Sequence, residues 1–197
     1  MFRRKPCNSL EEAVAHPNAV RRLWLIRPGV GFGAFVTLLP QLTSVREIHL
    51  GWQSWTELPQ ELTGLRELRS FTVLNTPILS FPSFLASCPN LTALVLRGTD
   101  IANIPASVQA FRHLQRLDFS NNPVREIPPE LGHLSGLREL HLADDGLKTL
   151  PESIAALQRL RSLALAGNSF NAVEASRVRG WFRHGVVSVW SKDEVVA

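Results

Sequence analysis

One spacing dominates this sequence: a pattern of apolar residues returns every 23 residues through most of the chain. The six aligned copies begin at Val45, Leu68, Leu91, Leu114, Leu137 and Leu160. Apolar residues favour positions 1, 4, 6, 11, 14, 18 and 21 of each copy. Position 15 is proline in five consecutive copies, at Pro59, Pro82, Pro105, Pro128 and Pro151. A fixed period of this length is the signature of a repeat architecture, in which each repeat is one structural unit.

Each repeat is predicted to contain one β-strand. Positions 3–6 alternate in polarity, as in Arg116-Leu117-Asp118-Phe119, and a period of two predicts a strand with one buried face. A single coil cannot bury its apolar residues alone, so stacked coils are expected to share one core and one parallel sheet. Proline cannot donate to a β-ladder, so the position-15 prolines predict where a short helical turn begins. The predicted strands lie near residues 22–26, 47–50, 70–73, 93–96, 116–119, 139–142 and 162–165.

The pattern resembles the leucine-rich-repeat family in its 23-residue form, LxxLxLxxN-x-LxxLPxxLxxL, over roughly residues 20–190. The resemblance implies an α/β right-handed solenoid, with a curved parallel sheet on the concave face and short helical or 3₁₀ turns on the convex face. The family's asparagine at position 9 is kept at Asn122 and Asn168. Its replacements are Gln53, Thr76, Thr99 and Asp145. Threonine and aspartate can make part of the amide's hydrogen bonds, so we expect local irregularity within the same fold.

A seventh copy and two caps complete the predicted domain. The seventh copy begins at Val20, 25 residues before the next, with two residues inserted in the turn at 27–31. The open ends of a stack would expose its core, so caps are expected. Ser9 and Glu12 form a capping box that predicts a helix over residues 9–16. The predicted segments are an N-terminal lead and capping helix at 1–19, seven repeats at 20–173, a C-terminal helix and strand cap at 174–190, and a tail at 191–197.

Charge and composition disfavour several kinds of partner. The net charge of +4 is spread along the chain without a run of five basic residues, so we predict no nucleic-acid partner and no membrane binding. Arginines recur at repeat position 2 and leave an anionic partner open, but neighbouring glutamates weaken their field. The longest uncharged run, at 28–45, holds glycines and polar residues and is no membrane span. Glu11 and Glu12 interrupt the apolar stretch that a secretory signal needs, so we expect a cytoplasmic protein.

Two cysteines are too few for a disulfide framework. Cys88 occupies position 21, an apolar position, so we expect a buried thiol. Cys7 falls in the lead, which we expect to be mobile there.

No residue set in the sequence predicts catalysis. Asp118 and His141 fall on adjacent coils at position 5, with Ser120 and Ser162 nearby, but nothing supplies an oxyanion hole or a pocket. We therefore predict a polar ladder rather than an enzyme. Asp118, His141 and Asp144 lack the ligand spacing of a known metal site. The glycine run at 29–33 lacks the lysine and hydroxyl residue of a phosphate-binding loop, so we expect no metal and no cofactor.

Aromatic residues at the N-terminal end form the predicted binding site. Trp24 and His49 at position 5, and Trp52 at position 8, are expected to point outward, and exposed apolar clusters mark binding surfaces. The predicted partner-binding residues are Trp24, His49, Trp52, Thr72, Leu74, Val95, Arg22 and Arg27. The alternative for Trp24 or Trp52 is packing under the N-terminal cap. A second candidate surface, suited to a basic or hydrogen-bonding partner, comprises Arg116, Asp118, Asn121, Glu139, His141 and Asp144.

These observations predict a non-catalytic protein–protein interaction module that binds another protein on its concave face as a monomer. The resemblance implies work as a scaffold, adaptor or sensor, and the style of the sequence is that of a small bacterial cytosolic protein. An inhibitory or immunity-type protein that neutralises a toxin, an enzyme or a GTPase would use the same surface and remains open. A secreted effector is a further alternative, for which the sequence shows neither an export signal nor a catalytic domain.

Overall fold

The structure, a computed structural model, describes residues 5–182 and the backbone of residues 187–189. Its strands are β1 (Arg22–Leu25), β2 (Glu47–Gly51), β3 (Ser70–Leu74), β4 (Ala93–Arg97), β5 (Arg116–Asp118), β6 (Glu139–His141), β7 (Ser162–Ala164) and β8 (Val187–Val189). They form one parallel sheet in chain order. The seven predicted strands are confirmed: each begins at the predicted residue and ends within one residue of the predicted end.

The core lies on the side of the sheet that carries repeat positions 4 and 6. Leu94, Leu117 and Leu140 have no exposed surface, and Phe71 and Phe119 are equally buried. Cys88 is buried as predicted, and burial raises the pKa of its thiol. The repeat frame derived from the sequence is therefore the frame of the fold.

Short helical turns cover the other side of the core. The 3₁₀ helices of the regular coils span Gln60–Gly64, Ser83–Ser87, Ala106–Ala110, Pro129–His133 and Glu152–Ala156. In each of these turns the position-15 proline is the N-cap, so the prediction that these prolines mark the helix entry is confirmed. The first coil instead carries an α-helix, α2 (Phe32–Leu38), followed by a 3₁₀ turn at Leu39–Gln41.

The N-terminal cap is more closely joined to the sheet than we predicted. Helix α1 (Leu10–Ala15) begins as the capping box predicts, with the Glu12 N–H donating to Ser9 Oγ at 3.1 Å, although the Glu12 carboxylate accepts from Asn8 rather than from Ser9. A 3₁₀ turn follows at Pro17–Ala19. The prediction that Cys7 lies in a mobile lead is wrong. Its N–H donates to the Arg22 carbonyl at 2.9 Å and its side chain is buried, because this segment bridges to the free edge of β1.

At the C-terminal end, helix α3 (Ala172–Trp181) follows β7, and β8 pairs with β7. Asn171 caps α3 by accepting the Glu174 N–H at 2.8 Å. The predicted tail at 191–197, the two ends of the predicted final strand (186 and 190) and residues 1–4 lie outside the described residues. Among the described residues, no helix is both long enough and apolar enough to cross a membrane.

A ladder of polar side chains at repeat position 9 joins successive coils. Asn122 is representative: its amide donates to the Leu96 carbonyl at 2.7 Å and its oxygen accepts the Thr99 N–H at 3.0 Å. Asp145 lacks the amide donor. Its Oδ1 accepts the Asn122 N–H at 2.9 Å, but its buried Oδ2 has no hydrogen-bond partner among the described residues. Burial raises the pKa of this carboxyl to about 8, against the effect of the Asn122 bond.

Candidate functional site

The concave face is the side of the sheet that carries repeat positions 3, 5 and 7, together with the position-8 residues that follow the strands. Equal positions stand beside one another, so that Trp24 pairs with His49, and His49 with Thr72. The face divides in two. The aromatic half contains Arg22, Trp24, Arg27, Glu47, His49, Trp52, Thr72, Leu74, Val95 and Arg97. The polar half contains Arg116, Asp118, Asn121, Glu139, His141, Asp144 and Ser162.

The centre of the aromatic half is a pair of rings in contact, tilted by 51° to one another. Trp24 and His49 are both half-buried, and their ring centroids are 5.1 Å apart. The Arg22 guanidinium lies 6.0 Å from the Trp24 ring centroid, at the limit of a cation–π contact. Burial lowers the pKa of His49 below its ordinary value, more than the Glu47 carboxylate raises it. The imidazole is therefore neutral at pH 7, and the centre of this half is apolar in character.

The N-terminal cap touches Trp24 through its backbone. The Trp24 N–H donates to the Cys7 carbonyl at 2.8 Å, whereas the ring faces the concave side beside His49. The indole Nε1 is buried and has no hydrogen-bond partner among the described residues. A buried donor left without a partner costs about 1–3 kcal/mol. Two alternatives were predicted for Trp24, exposure or packing under the cap, and its position lies between them, since the ring is half-buried on the concave side.

Trp52 is 51% exposed and has a left-handed backbone, with φ of 52°. The position-8 residues of the other five regular coils share this conformation: φ is 46° at Asn75, 63° at Gly98, 61° at Asn121, 57° at Asp144 and 72° at Gly167. Glycine, asparagine and aspartate tolerate that region, but a bulky residue there costs roughly 1–2 kcal/mol. Trp52 is thus both the most exposed aromatic of this half and the exception in its column. The run of asparagine, glycine and aspartate at position 8 was a sequence signal for this backbone that our prediction did not use.

The remaining predicted residues of the aromatic half differ in how much surface they offer. Leu74 and Val95 are half-buried on the concave face and Arg27 is exposed. Thr72 lies in the predicted column, between His49 and Val95, but is only 6% exposed. It therefore contributes little contact surface. Arg97, which our sequence prediction did not include, stands beside Leu74 and is exposed.

An open groove of about 850 Å³ borders Trp24 between the cap and the inserted turn. Ile26 and Arg27 line it from the turn, and Ser9 and Glu12 line it from the cap. The turn is anchored from below, because the Trp55 indole donates to the Val30 carbonyl at 3.0 Å. The two inserted residues therefore form a wall of this groove beside the aromatic half.

The polar half is held by bonds among its own side chains. Asp118 is 5% exposed and lies 3.5 Å from His141 Nδ1 and 3.8 Å from the Arg116 guanidinium. The same guanidinium contacts Glu139 at 3.2 Å. Burial acts to raise the pKa of Asp118, but the hydrogen bonds from His141 and Ser120 outweigh it and leave the pKa below its ordinary value. Asp118 is thus ionised and fully engaged, while Asn121 and Asp144 remain exposed at the margin.

The Asp118–His141 pair extends to Ser162, whose Oγ lies 3.2 Å from His141 Nε2. This is the order of atoms in a Ser-His-Asp triad. Acyl transfer also needs donors for the oxyanion, and here the N–H groups of Arg161 and Ser162 both donate to the Arg138 carbonyl. The set lies on sheet strands with its neighbouring amides engaged, so the arrangement is suited to linking three strands. The described residues contain no cluster of three or more His, Cys, Asp or Glu side chains placed to hold a metal ion.

Comparison with known proteins supports the architecture. A family model described as "Leucine rich repeat" matches residues 112–170. A leucine-rich-repeat protein of Leptospira interrogans has a similar solved structure, with a TM-score of 0.72 and 27% sequence identity. That match covers 78% of this chain but 39% of the Leptospira chain, so this chain spans about two fifths of that relative. A search of curated protein sequences finds no significant match.

Two internalins of Listeria monocytogenes share the fold at lower identity. The structure of internalin C2 matches with a TM-score of 0.72 and 22% identity, over 94% of this chain and 77% of its own. A second internalin, InlF, matches with a TM-score of 0.68 and 18% identity, over 98% of this chain and 59% of its own. At these identities the likeness concerns the fold.

Proposed function

This chain is a leucine-rich-repeat protein, and we propose that it is a non-catalytic module that binds another protein with the aromatic half of its concave face. The fold is a general scaffold for protein–protein interaction. The observation that carries the proposal is that the half-exposed Trp52 and the half-buried Trp24–His49 pair lie on the same half of an open sheet face. Buried aromatic anchors carry much of the energy of protein interfaces.

The size of the face fits this role. Seven strands at the usual spacing span about 29 Å. A face of that length can supply the roughly 800 Å² per partner that a stable interface buries. Leu74 and Val95 extend the apolar surface from the tryptophans toward the middle of the sheet, and Arg22 and Arg27 lie at its margin.

The aromatic half is favoured over the polar half because its groups are less engaged within the chain. In the polar half, Arg116 bonds two carboxylates, and His141 bonds both Asp118 and Ser162. A partner there would have to replace existing bonds. A partner on the aromatic half would mainly cover apolar surface, which stabilises a complex by about 25 cal/mol per Å² before the costs of association.

The proposal includes a cytoplasmic monomer whose partner is neither nucleic acid nor membrane. The part of the proposal that concerns nucleic acid and membrane rests on the modest, dispersed charge of the chain. A partner that co-purifies at one to one and loses its own activity in the complex would favour the inhibitory form of this function over the scaffold form.

The test is to capture the partner from native lysate, identify it by mass spectrometry and measure its affinity for two double variants. Trp24→Ala with Trp52→Ala should weaken binding by about 2–4 kcal/mol or more, because two interface anchors are lost. Asn121→Gly with Asp144→Gly is the matched control, since it removes two exposed polar-half side chains and keeps a left-handed backbone available.

Two results would contradict the proposal. An affinity that is unchanged in the tryptophan variant and lost in the control variant would move the site to the polar half. Collapse of the tryptophan variant's circular dichroism spectrum would show that Trp24 and Trp52 support the fold rather than the contact.

A further inference from the structure

Two departures from good local structure lie on the first two coils of the aromatic half. Trp52 occupies a left-handed position that the other five regular coils fill with asparagine, aspartate or glycine. Trp24 buries an indole N–H that has no partner among the described residues. Each is unfavourable in the isolated protein, and such departures concentrate where function requires them.

On the sheet face itself, the charges around these two tryptophans are mostly positive, although Glu11 and Glu12 of the cap line the groove beside Trp24. The aromatic half contains three arginines, Arg22, Arg27 and Arg97, against one glutamate, Glu47. The exposed side chains of Arg27 and Arg97 form no ion pair within the described part of the chain. In the polar half, by contrast, Arg116 is paired with Asp118 and Glu139. On the part of the sheet face that the structure describes, arginines without an ion pair thus lie beside the aromatic surface.

We propose that the aromatic half recognises a protein segment in which an apolar side chain is flanked by aspartate or glutamate. The apolar side chain packs on Trp52 and the Trp24–His49 pair, and the carboxylates face Arg27 and Arg97. This rests on the proposed function and adds the chemistry of the partner. Complementary charge at the margin of an apolar contact gives orientation and a faster association rate more than it gives affinity.

The position-8 column supplies a test of whether Trp52 serves binding or folding. Trp52→Asn installs the residue that Asn75 and Asn121 show to be accepted at this position. The variant should unfold at a higher urea concentration than the wild type, because the strained backbone is relieved, and it should bind more weakly. A variant that unfolds at a lower urea concentration would overturn the proposal, because Trp52 would then be a structural residue.

The probe for the partner's chemistry is a phage-displayed library of random linear peptides. Peptides are selected on the wild-type protein and counter-selected on Trp52→Asn. Those that survive should place an apolar residue next to aspartate or glutamate. When synthesised, they should bind Trp52→Asn at least tenfold more weakly than the wild type.

The arginines are tested with matched double variants. Arg27→Gln with Arg97→Gln should weaken the selected peptides several-fold and flatten the dependence of their affinity on salt, because screening acts on exposed charge. Arg125→Gln with Arg159→Gln removes two other exposed arginines, which lie outside the strands, and should leave the affinity unchanged.

The outcomes separate this proposal from the one on which it rests. Selected peptides that need Trp52 but are basic or uncharged would overturn the carboxylate partner and leave the binding face standing. The same holds for acidic peptides that bind both arginine variants equally. A library that yields no peptide on the wild type would count against the proposed function itself.

Discussion

The two halves of the concave face have the same backbone arrangement. They differ in how many of their polar side-chain groups have hydrogen-bond or ion-pair partners within the chain. In the polar half, Asp118 is nearly inaccessible, yet it lies within bonding distance of His141 and Arg116. In the aromatic half, Trp52 is exposed on a strained backbone, and the Trp24 indole is buried without a described partner. In the polar half, polar side chains link neighbouring strands. The aromatic half contains locally unfavourable features that the fold alone does not require.

This difference teaches that exposure alone does not locate a binding surface on a repeat protein. The polar half looks chemically richer, with a Ser-His-Asp arrangement across three strands. Most of its polar groups, however, bond one another, although the Arg116 Nε is buried without a partner among the described residues, so this half offers less to a partner. The aromatic half presents exposed apolar area and positive charge, and both are typical of surfaces that bind other proteins.

The largest expected effect comes from removing the cap, which adjoins one half only. Deleting residues 1–19 would expose Leu23, Leu25 and Phe35, all of which are buried, and would remove the backbone bonds of Cys7 to β1. Because repeat stability is a sum of local and nearest-neighbour terms, the loss should begin at β1 and fade toward β6. Hydrogen exchange would show this gradient as reduced protection in the aromatic half. Protection equal to that of the full chain throughout would mean that the cap does not stabilise the first coil.

The next largest effect should come from breaking the network of the polar half. Asp118→Ala leaves His141 and Arg116 without their shared carboxylate and should lower the free energy of unfolding by about 3 kcal/mol. Thr72→Val, at the same repeat position in the aromatic half, should cost under about 1 kcal/mol. Urea unfolding of both variants tests the comparison. Equal losses would show that the network adds nothing beyond ordinary packing.

A smaller effect is expected at Asp145, in the ladder beneath the polar half. Its pKa is about 8 in the fold, and that of an aspartate in the unfolded chain is about 3.9. Between these values the folded protein holds a proton that the unfolded chain has released, so this group's contribution to stability falls as pH rises toward 8.

Asp145→Asn supplies the amide that Asn122 and Asn168 carry and removes the titration. It should raise the free energy of unfolding by roughly 1–2 kcal/mol at pH 8, and by less at pH 5. Urea unfolding at the two pH values provides the measurement, with Asp100→Asn as the control because Asp100 is exposed and is not among the charges that raise the pKa of Asp145. A gain from Asp145→Asn that is the same at both pH values would contradict a bound proton.

The smallest effect is expected when a tryptophan at repeat position 8, as in the aromatic half, is introduced into the polar half. Asn121→Trp places a tryptophan on the left-handed backbone of the polar half and should lower the free energy of unfolding by about 1 kcal/mol. It should not create affinity for the peptides selected on the aromatic half, because the ring lacks the Trp24–His49 pair beside it. Thermal unfolding and peptide titration check these two outcomes. Tight peptide binding to Asn121→Trp in the background of Trp52→Asn would show that a lone exposed ring suffices.

Much of the candidate site was predictable because the repeat fixes position. The alternation of Leu23, Trp24 and Leu25 places the tryptophan outward, and the 23-residue step places it beside His49. The same arithmetic assigned Asp118 and His141 to neighbouring strands. The repeat spacing could not predict the exposed fraction of each side chain, because a side chain on the outer face can still be covered by its neighbours. Thr72 is the example.

By itself, the sequence determined the frame: the strands, their order, their register and the side chains that face away from the core. A period of two within the strand and of 23 along the chain leaves no freedom in these. Only the tertiary structure decided which outward groups are satisfied. The seating of Cys7 against β1, the bonds from Asp118 to His141 and onward to Ser162, and the left-handed backbone of Trp52 depend on distances between separate coils. The periodicity of the sequence determines which face of the sheet a side chain lies on. Its hydrogen-bond partners and its backbone strain arise only when the coils are stacked.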